Sequence, residues 1–232
     1  QHKEKLEAEK RAKLAKQKAI IDESEELLMA ISILPPSINI NKILQKRSLT
    51  AVRNMVEISP ESREYKKRMT EFESRFNATN EQVQNPSAED SFVLPDNDQQ
   101  LVQILQCIKK LRIVLKSEQA KGQLNSTDFM QEDIRLESYQ LKINVESLIK
   151  RGHAAQSKEM IGSARQYYEK ALKVVSDHPR RNDYLVQKKQ ELENILDEIT
   201  SALKSTNAED RAKKEKDEQD DLDLLFQPKK KW

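Results

Sequence analysis

The chain has little of what tight turns, disulfides and phosphate cradles require. Only three glycines, Gly122, Gly152 and Gly162, occur in 232 residues. Strand-rich folds closed by tight hairpins need more Gly-containing turns than this. Dinucleotide-binding and P-loop cradles need glycine clusters, which the chain lacks. A single cysteine, Cys107, cannot form an internal disulfide, which fits a reducing compartment. The three histidines, His2, His153 and His178, are far apart, and no paired-cysteine spacing exists, so no metal site is expected. No apolar run approaches the ~20 residues of a membrane span. Basic residues number 41 and acidic residues 39, so no global positive charge drives nucleic-acid binding.

What is present is charge and helical periodicity. Charged residues make up 34% and apolar residues 36%, a balance suited to helices with narrow buried stripes and broad wet faces. Residues 1–18 hold seven Lys/Arg and three Glu among strong helix formers. They read as a solvated helix running into a stripe of Ile20, Ile21, Leu27, Leu28, Ile31 and Leu34, stopped by Pro35–Pro36. A second helix spans 40–58 with Ile40, Leu44, Ala51, Val52, Met55 and Val56 inward. Ser59–Pro60 opens a third, with Tyr65, Met69, Phe72 and Phe76 on one face. Residues 78–98, rich in Asn, Asp, Ser and Pro, read as a linker in which Phe92, Val93 and Leu94 are available for docking.

Beyond it, Asp96 or Asp98 caps a helix whose seam, Leu101, Ile104, Ile108, Leu111 and Leu115, is spaced 3, 4, 3, 4 like a coiled-coil heptad. Ser126 or Thr127 caps a longer helix, apolar on two faces through Phe129, Leu136 and Ile143 and through Ile134, Leu141, Val145 and Leu148. A break near Gly162 precedes a helix to His178–Pro179. The last helix carries Leu185, Leu192, Ile195, Ile199 and Ala202, with Lys188 interrupting the seam. Residues 206–232 lose periodicity, and their low hydrophobicity and mixed charge predict a disordered charged tail. The expectation is an all-α fold: an elongated arm (1–77), a linker (78–98), an antiparallel bundle or short solenoid (99–205) and the tail (206–232).

The segment Gly162–Val175, GSARQYYEKALKVV, resembles the second helix of a tetratricopeptide repeat. Ala164, Tyr168 and Ala171 fall on that family's small–large–small positions, and Gly152 falls on the small position of the first helix. The likeness covers one repeat, about residues 144–178. It implies a closely packed helical hairpin.

The tail ends in QDDLDLLFQPKKKW. Leu222, Leu224, Leu225, Phe226 and Trp232 are candidate partner-binding residues, since such a cluster can anchor in a pocket while the acids around it steer approach. The stretch Asp221–Phe226 is similar to the short motif that bacterial proteins insert into the DNA sliding clamp, with Asp221 where that motif usually begins with glutamine.

Cys107 reads as a small, partly buried residue with no catalytic partner, and the acidic residues read as surface pairs with neighbouring Lys and Arg. No catalytic residue, cofactor or metal ligand is assigned. The expectation is a non-enzymatic cytoplasmic scaffold or adaptor that meets proteins through helical faces and its tail. One version has the chain on the cytosolic side of a membrane, with an anchor upstream of Gln1 and residues 1–18 beside anionic lipid. The alternative is a nucleic-acid-associated accessory factor using the basic arm or the clamp-like tail. Long heptad-like stripes leave oligomerisation open.

Overall fold

A computed structural model describes residues 2–35, 37–81, 94–95 and 97–226. Within 206–226, it describes side chains only at Asn207, Ala208, Lys213 and Lys214. The described residues form seven α-helices and no strand: α1 (His2–Ala30), α2 (Ile38–Ile58), α3 (Arg63–Asn80), α4 (Asp98–Ala120), α5 (Ser126–Ser157), α6 (Ile161–Asp177) and α7 (Asp183–Phe226). A 3-10 turn, Ile31–Ile33, continues α1. The all-α expectation therefore holds. No helix among the described residues is long and apolar enough to cross a membrane.

Short polar side chains decide where the helices start. Ser37 caps α2 by accepting from the Ile40 amide, and Ser62 caps α3 by accepting from the Tyr65 amide. Ser59 and Pro60 lie instead in the turn before α3, where the Ser62 amide donates to the Ser59 carbonyl. The cap of α4 is Asn97, between the two aspartates expected to serve. Asn125 precedes α5, its side chain accepting from the Asp128 amide at 2.7 Å. Asn182 accepts from the Leu185 amide at the start of α7. Gly122 ends α4 with φ +71°, donating to the Gln119 carbonyl while Gln123 donates to Glu118, the paired bonds of a Schellman ending. The same bonding pattern after α5 uses Glu159 at φ +58°. The break therefore sits at Glu159, and Gly162 lies within α6.

Two compact units, Gln1–Ile143 and Asn144–Trp232, divide the chain. The division falls inside α5 rather than in the 78–98 segment. In the first unit the expected arm and the helix after the linker share a core. Leu27, Leu34, Ile40 and Leu44 pack with the complete seam Leu101, Ile104, Ile108, Leu111 and Leu115, and with Leu136 and Ile143 of α5. Leu94 packs on that core, while Phe92 and Val93 lie outside the described residues. A second cluster gathers Ile21, Leu49, Ala51, Val52, Met55 and Phe72, so α1, α2 and α3 close around one apolar centre. Each fully buried Leu or Ile contributes on the order of 1.5–3 kcal/mol, so these two clusters hold the unit together.

In the second unit α6 packs on α7. Ala164, Tyr168, Ala171 and Val175 are buried on α6, and Leu185, Leu192 and Ile199 on α7. The last helix runs through Phe226, past the expected limit at 205. Ala, Glu, Lys, Arg and Leu in this stretch extend a helix already nucleated by the packed turns before it.

Candidate functional site

The first unit contains an apolar cleft of about 310 Å³ between the turn after α1, the start of α2 and α5. Leu28, Ile31, Leu34, Ile40 and Leu136 form its walls, and Tyr139, Arg135, Ser37 and Asn41 add polar atoms. Its volume is at the lower limit for a small-molecule pocket. Beside it, Glu132 is buried, accepts from the Ser37 hydroxyl at 3.0 Å and faces Arg135 at 3.7 Å. The Arg135 guanidinium also donates to the Tyr139 hydroxyl and the Pro35 carbonyl and stacks on the Tyr139 ring. The Ser37–Glu132 and Pro35–Arg135 bonds tie the residues before α2 to α5. The arrangement anchors the start of α2 on α5.

A second buried ionic cluster lies where α1, α2 and α4 meet. Arg47 donates to Glu23 at 2.6 Å, to the Ser24 hydroxyl at 2.8 Å and to the Ile20 carbonyl at 3.4 Å. It also pairs with Glu118 at 3.4 Å, and Glu118 accepts from Lys121 at 2.8 Å. Glu118 and Glu132 correct the expectation that the acidic residues are all surface pairs. Both are buried, with 5% and 1% of their surface exposed.

Cys107 is buried on α4. Burial pushes its thiol up to about 11, the nearby Lys110 opposes that rise, and Glu26 adds to it. Lys110 is held by Glu26 at 2.9 Å. A two-unit rise lowers the reactive thiolate on the order of 100-fold near neutral pH. Cys107 is therefore expected to react with an aromatic disulfide reagent about 100-fold more slowly in the native protein than in urea. Equal rates would mean that α4 opens readily.

In the second unit Gly152 of α5 and Tyr168 of α6 meet. Ala164, Tyr168 and Ala171 are fully buried. A methyl group built on Gly152 would stand 2.5 Å from Cε1 of Tyr168, so the bare backbone of α5 seats that ring. The Tyr168 hydroxyl meets Nδ1 of His153 at 2.9 Å and Oε1 of Gln156 at 3.0 Å. The His153 ring also lies edge-on to it. Lys188, the break in the α7 seam, is answered by charge. It pairs with Glu146 of α5 at 3.3 Å and Glu191 at 2.9 Å. Burial lowers the Lys188 pKa, but the bonds and charges of Glu191 and Glu146 outweigh it and hold the ammonium above its usual value. Tyr184 donates to the same Glu146 at 2.9 Å, and burial followed by that carboxylate's charge raises the phenol pKa.

The tail residues divide differently. Leu222, Leu224, Leu225 and Phe226 lie on the last turns of α7, with side chains outside the described set, and Trp232 lies outside the described residues altogether. Among the described residues no group of three or more His, Cys, Asp or Glu is placed to hold a metal ion. The Arg47 and Glu132 clusters had no distinctive signal in sequence, because a buried i, i+3 Glu–Arg or Glu–Lys pair looks the same as an exposed one. Comparison of the chain with known protein families, with curated proteins and with solved structures returns no match.

Proposed function

We propose that this chain is a non-enzymatic helical scaffold or adaptor of the cytoplasm that joins protein partners through helical surface left over from its own folding. One observation carries this reading: each compact unit has a helix that outruns the core that nucleates it. In α1 every residue from His2 to Lys13 is exposed, and in α7 every described side chain after Thr200 is exposed. Such turns persist because the packed part of each helix has already met the cost of nucleation. Their described side chains are exposed and offer a long polar surface on which a partner helix or groove can seat. In α7 that surface leads to Leu222, Leu224, Leu225 and Phe226, whose acidic neighbours complement a basic-rimmed apolar pocket. The Gly152–Tyr168 hairpin, with its likeness to one tetratricopeptide unit, supplies a rigid base for the projecting helix.

The test is capture from the native cytosol with the full chain and with a chain lacking residues 217–232. Identified protein partners should be recovered by the full chain, resist nuclease and fall at least ~10-fold on deletion, as loss of a hot-spot cluster requires. Recovery abolished by nuclease would favour the nucleic-acid-associated alternative. Recovery unchanged by the deletion would remove the tail from the proposal.

A further inference from the structure

We propose that the exposed start of α1 is a docking stripe for one acidic amphipathic helix of a partner protein. This rests on the scaffold reading and names the partner chemistry for one of its two surfaces. At about 100° per residue, Lys3, Leu6, Lys10, Lys13 and Gln17 share an arc of roughly 80° on α1. Their spacing is 3, 4, 3, 4, the seam spacing of packed helices. The same arc continues into Ile21, Ser24 and Leu28, where α1 packs on its own unit. Ile21 and Ser24 are fully buried and Leu28 is partly buried. The stripe is therefore the continuation of a helix-packing face.

The geometry shows why that face runs out of partner. Gln17 bonds Asn54 at 3.2 Å and Ser24 bonds Arg47 at 2.8 Å, both in one antiparallel register. That register brings the end of α2, at Ile58, beside Lys13. From Lys13 back to His2, α1 is exposed, with Leu6 at 62%. A helix seated there would follow the line of α2, with Leu6 and the lysine stems as its apolar floor.

Charge selects the occupant. The arc holds three lysines and no acid, while Glu7 and Glu9 stand at its two edges and Glu4 on the far side. An acidic helix about 10 Å wide sits within the arc and meets lysines. A bilayer or a duplex is broader and meets the flanking glutamates as well. Leu6 is also the one large apolar side chain between His2 and Lys13, too little for a helix to bind a membrane by its apolar face.

The experiment uses the full chain and two synthetic helical peptides of about 18 residues. One carries Glu at every seam position around a central Leu, and the other carries Gln in place of each Glu. The acidic peptide should bind at low salt at least ~10-fold tighter than its Gln counterpart, and 0.3 M salt should weaken it. The triple variant Lys3→Glu/Lys10→Glu/Lys13→Glu should abolish binding with unchanged circular dichroism, because these side chains are exposed. The variant Glu7→Gln/Glu9→Gln should leave binding unchanged or tighter. Equal affinity for both peptides, or none for the acidic one, overturns the proposal. So does tighter lysine-dependent binding to phosphatidylserine vesicles or duplex DNA. A failed stripe would leave capture through residues 217–232 intact, so the two readings fall separately.

Discussion

Replacing Arg47 with alanine is expected to destabilise the first unit by about 3–5 kcal/mol, the range seen when one partner of a buried ion pair is removed. The side chain is 9% exposed and its partner Glu118 is 7% exposed. Without Arg47, Glu118 keeps only Lys121, whose side chain is half in water. The fully buried Ser24 loses a donor and keeps its own bond to the Ile20 carbonyl. Glu23 matters less, since it is 43% exposed and water replaces the guanidinium there. A loss of this size is a large share of the 5–15 kcal/mol typical of a folded domain. It should appear as a lower urea midpoint and as faster amide exchange in α1, α2 and α4. A control separates charge from packing: Arg47→Met/Glu118→Met removes both charges and should be markedly more stable than Arg47→Met alone. A change under 1 kcal/mol for Arg47→Ala would mean that water reaches the cluster and that the three helices are held by their apolar seams alone.

Much of this fold was legible because it is written in periodicity. The seam from Leu101 to Leu115 is buried at each of its five positions, and Ile40, Leu44, Ala51, Val52 and Met55 line α2 as their spacing requires. Apolar spacing is a local property of a helix, so it survives without tertiary information. Helix starts were less legible. Ser62, Asn97 and Asn125 won over equally polar neighbours, because a cap is chosen by which side chain reaches the free amides once the helix has its direction. The break before α6 misled for a similar reason. Glycine is the usual left-handed residue, yet here Glu159 adopts that conformation. The unit boundary was hidden because α5 crosses it without interruption, whereas the polar 78–98 stretch merely connects helices that share a core. Buried Glu118 and Glu132 illustrate the limit most directly. Burial of a charged residue depends on what the other helices bring to it, Arg47 from α2 and Ser37 from the corner before it, at sequence distances no local pattern encodes. The hairpin was the exception among candidate sites. Gly152 against the Tyr168 ring leaves a trace in the sequence, because so close an approach leaves no room for a side chain.

Gly152→Ala is expected to destabilise the second unit by about 1–3 kcal/mol, although glycine to alanine inside a helix ordinarily stabilises by up to about 1 kcal/mol. Two effects of opposite sign meet at this position, and the distances decide between them. The new methyl group would lie 2.5, 2.8 and 2.9 Å from three atoms of the Tyr168 ring, well inside van der Waals contact. A flexible side chain at the surface would swing aside at little cost. Tyr168 cannot, because it is fully buried and its hydroxyl is held by His153 and Gln156. Relief therefore requires α5 and α6 to separate, which opens the contacts around Ala164 and Ala171 as well. Gly162 provides the internal contrast, since nothing lies within 4 Å of a methyl group placed there. Gly162→Ala should be neutral or stabilising by less than about 1 kcal/mol. The decisive measurement is a double-mutant cycle. If the clash is the cause, Gly152→Ala costs little in a Tyr168→Leu background, and the two changes are strongly non-additive. Additive losses would place the cost in the α5 backbone rather than in the ring, and the account of the hairpin as a glycine-seated tyrosine would fall.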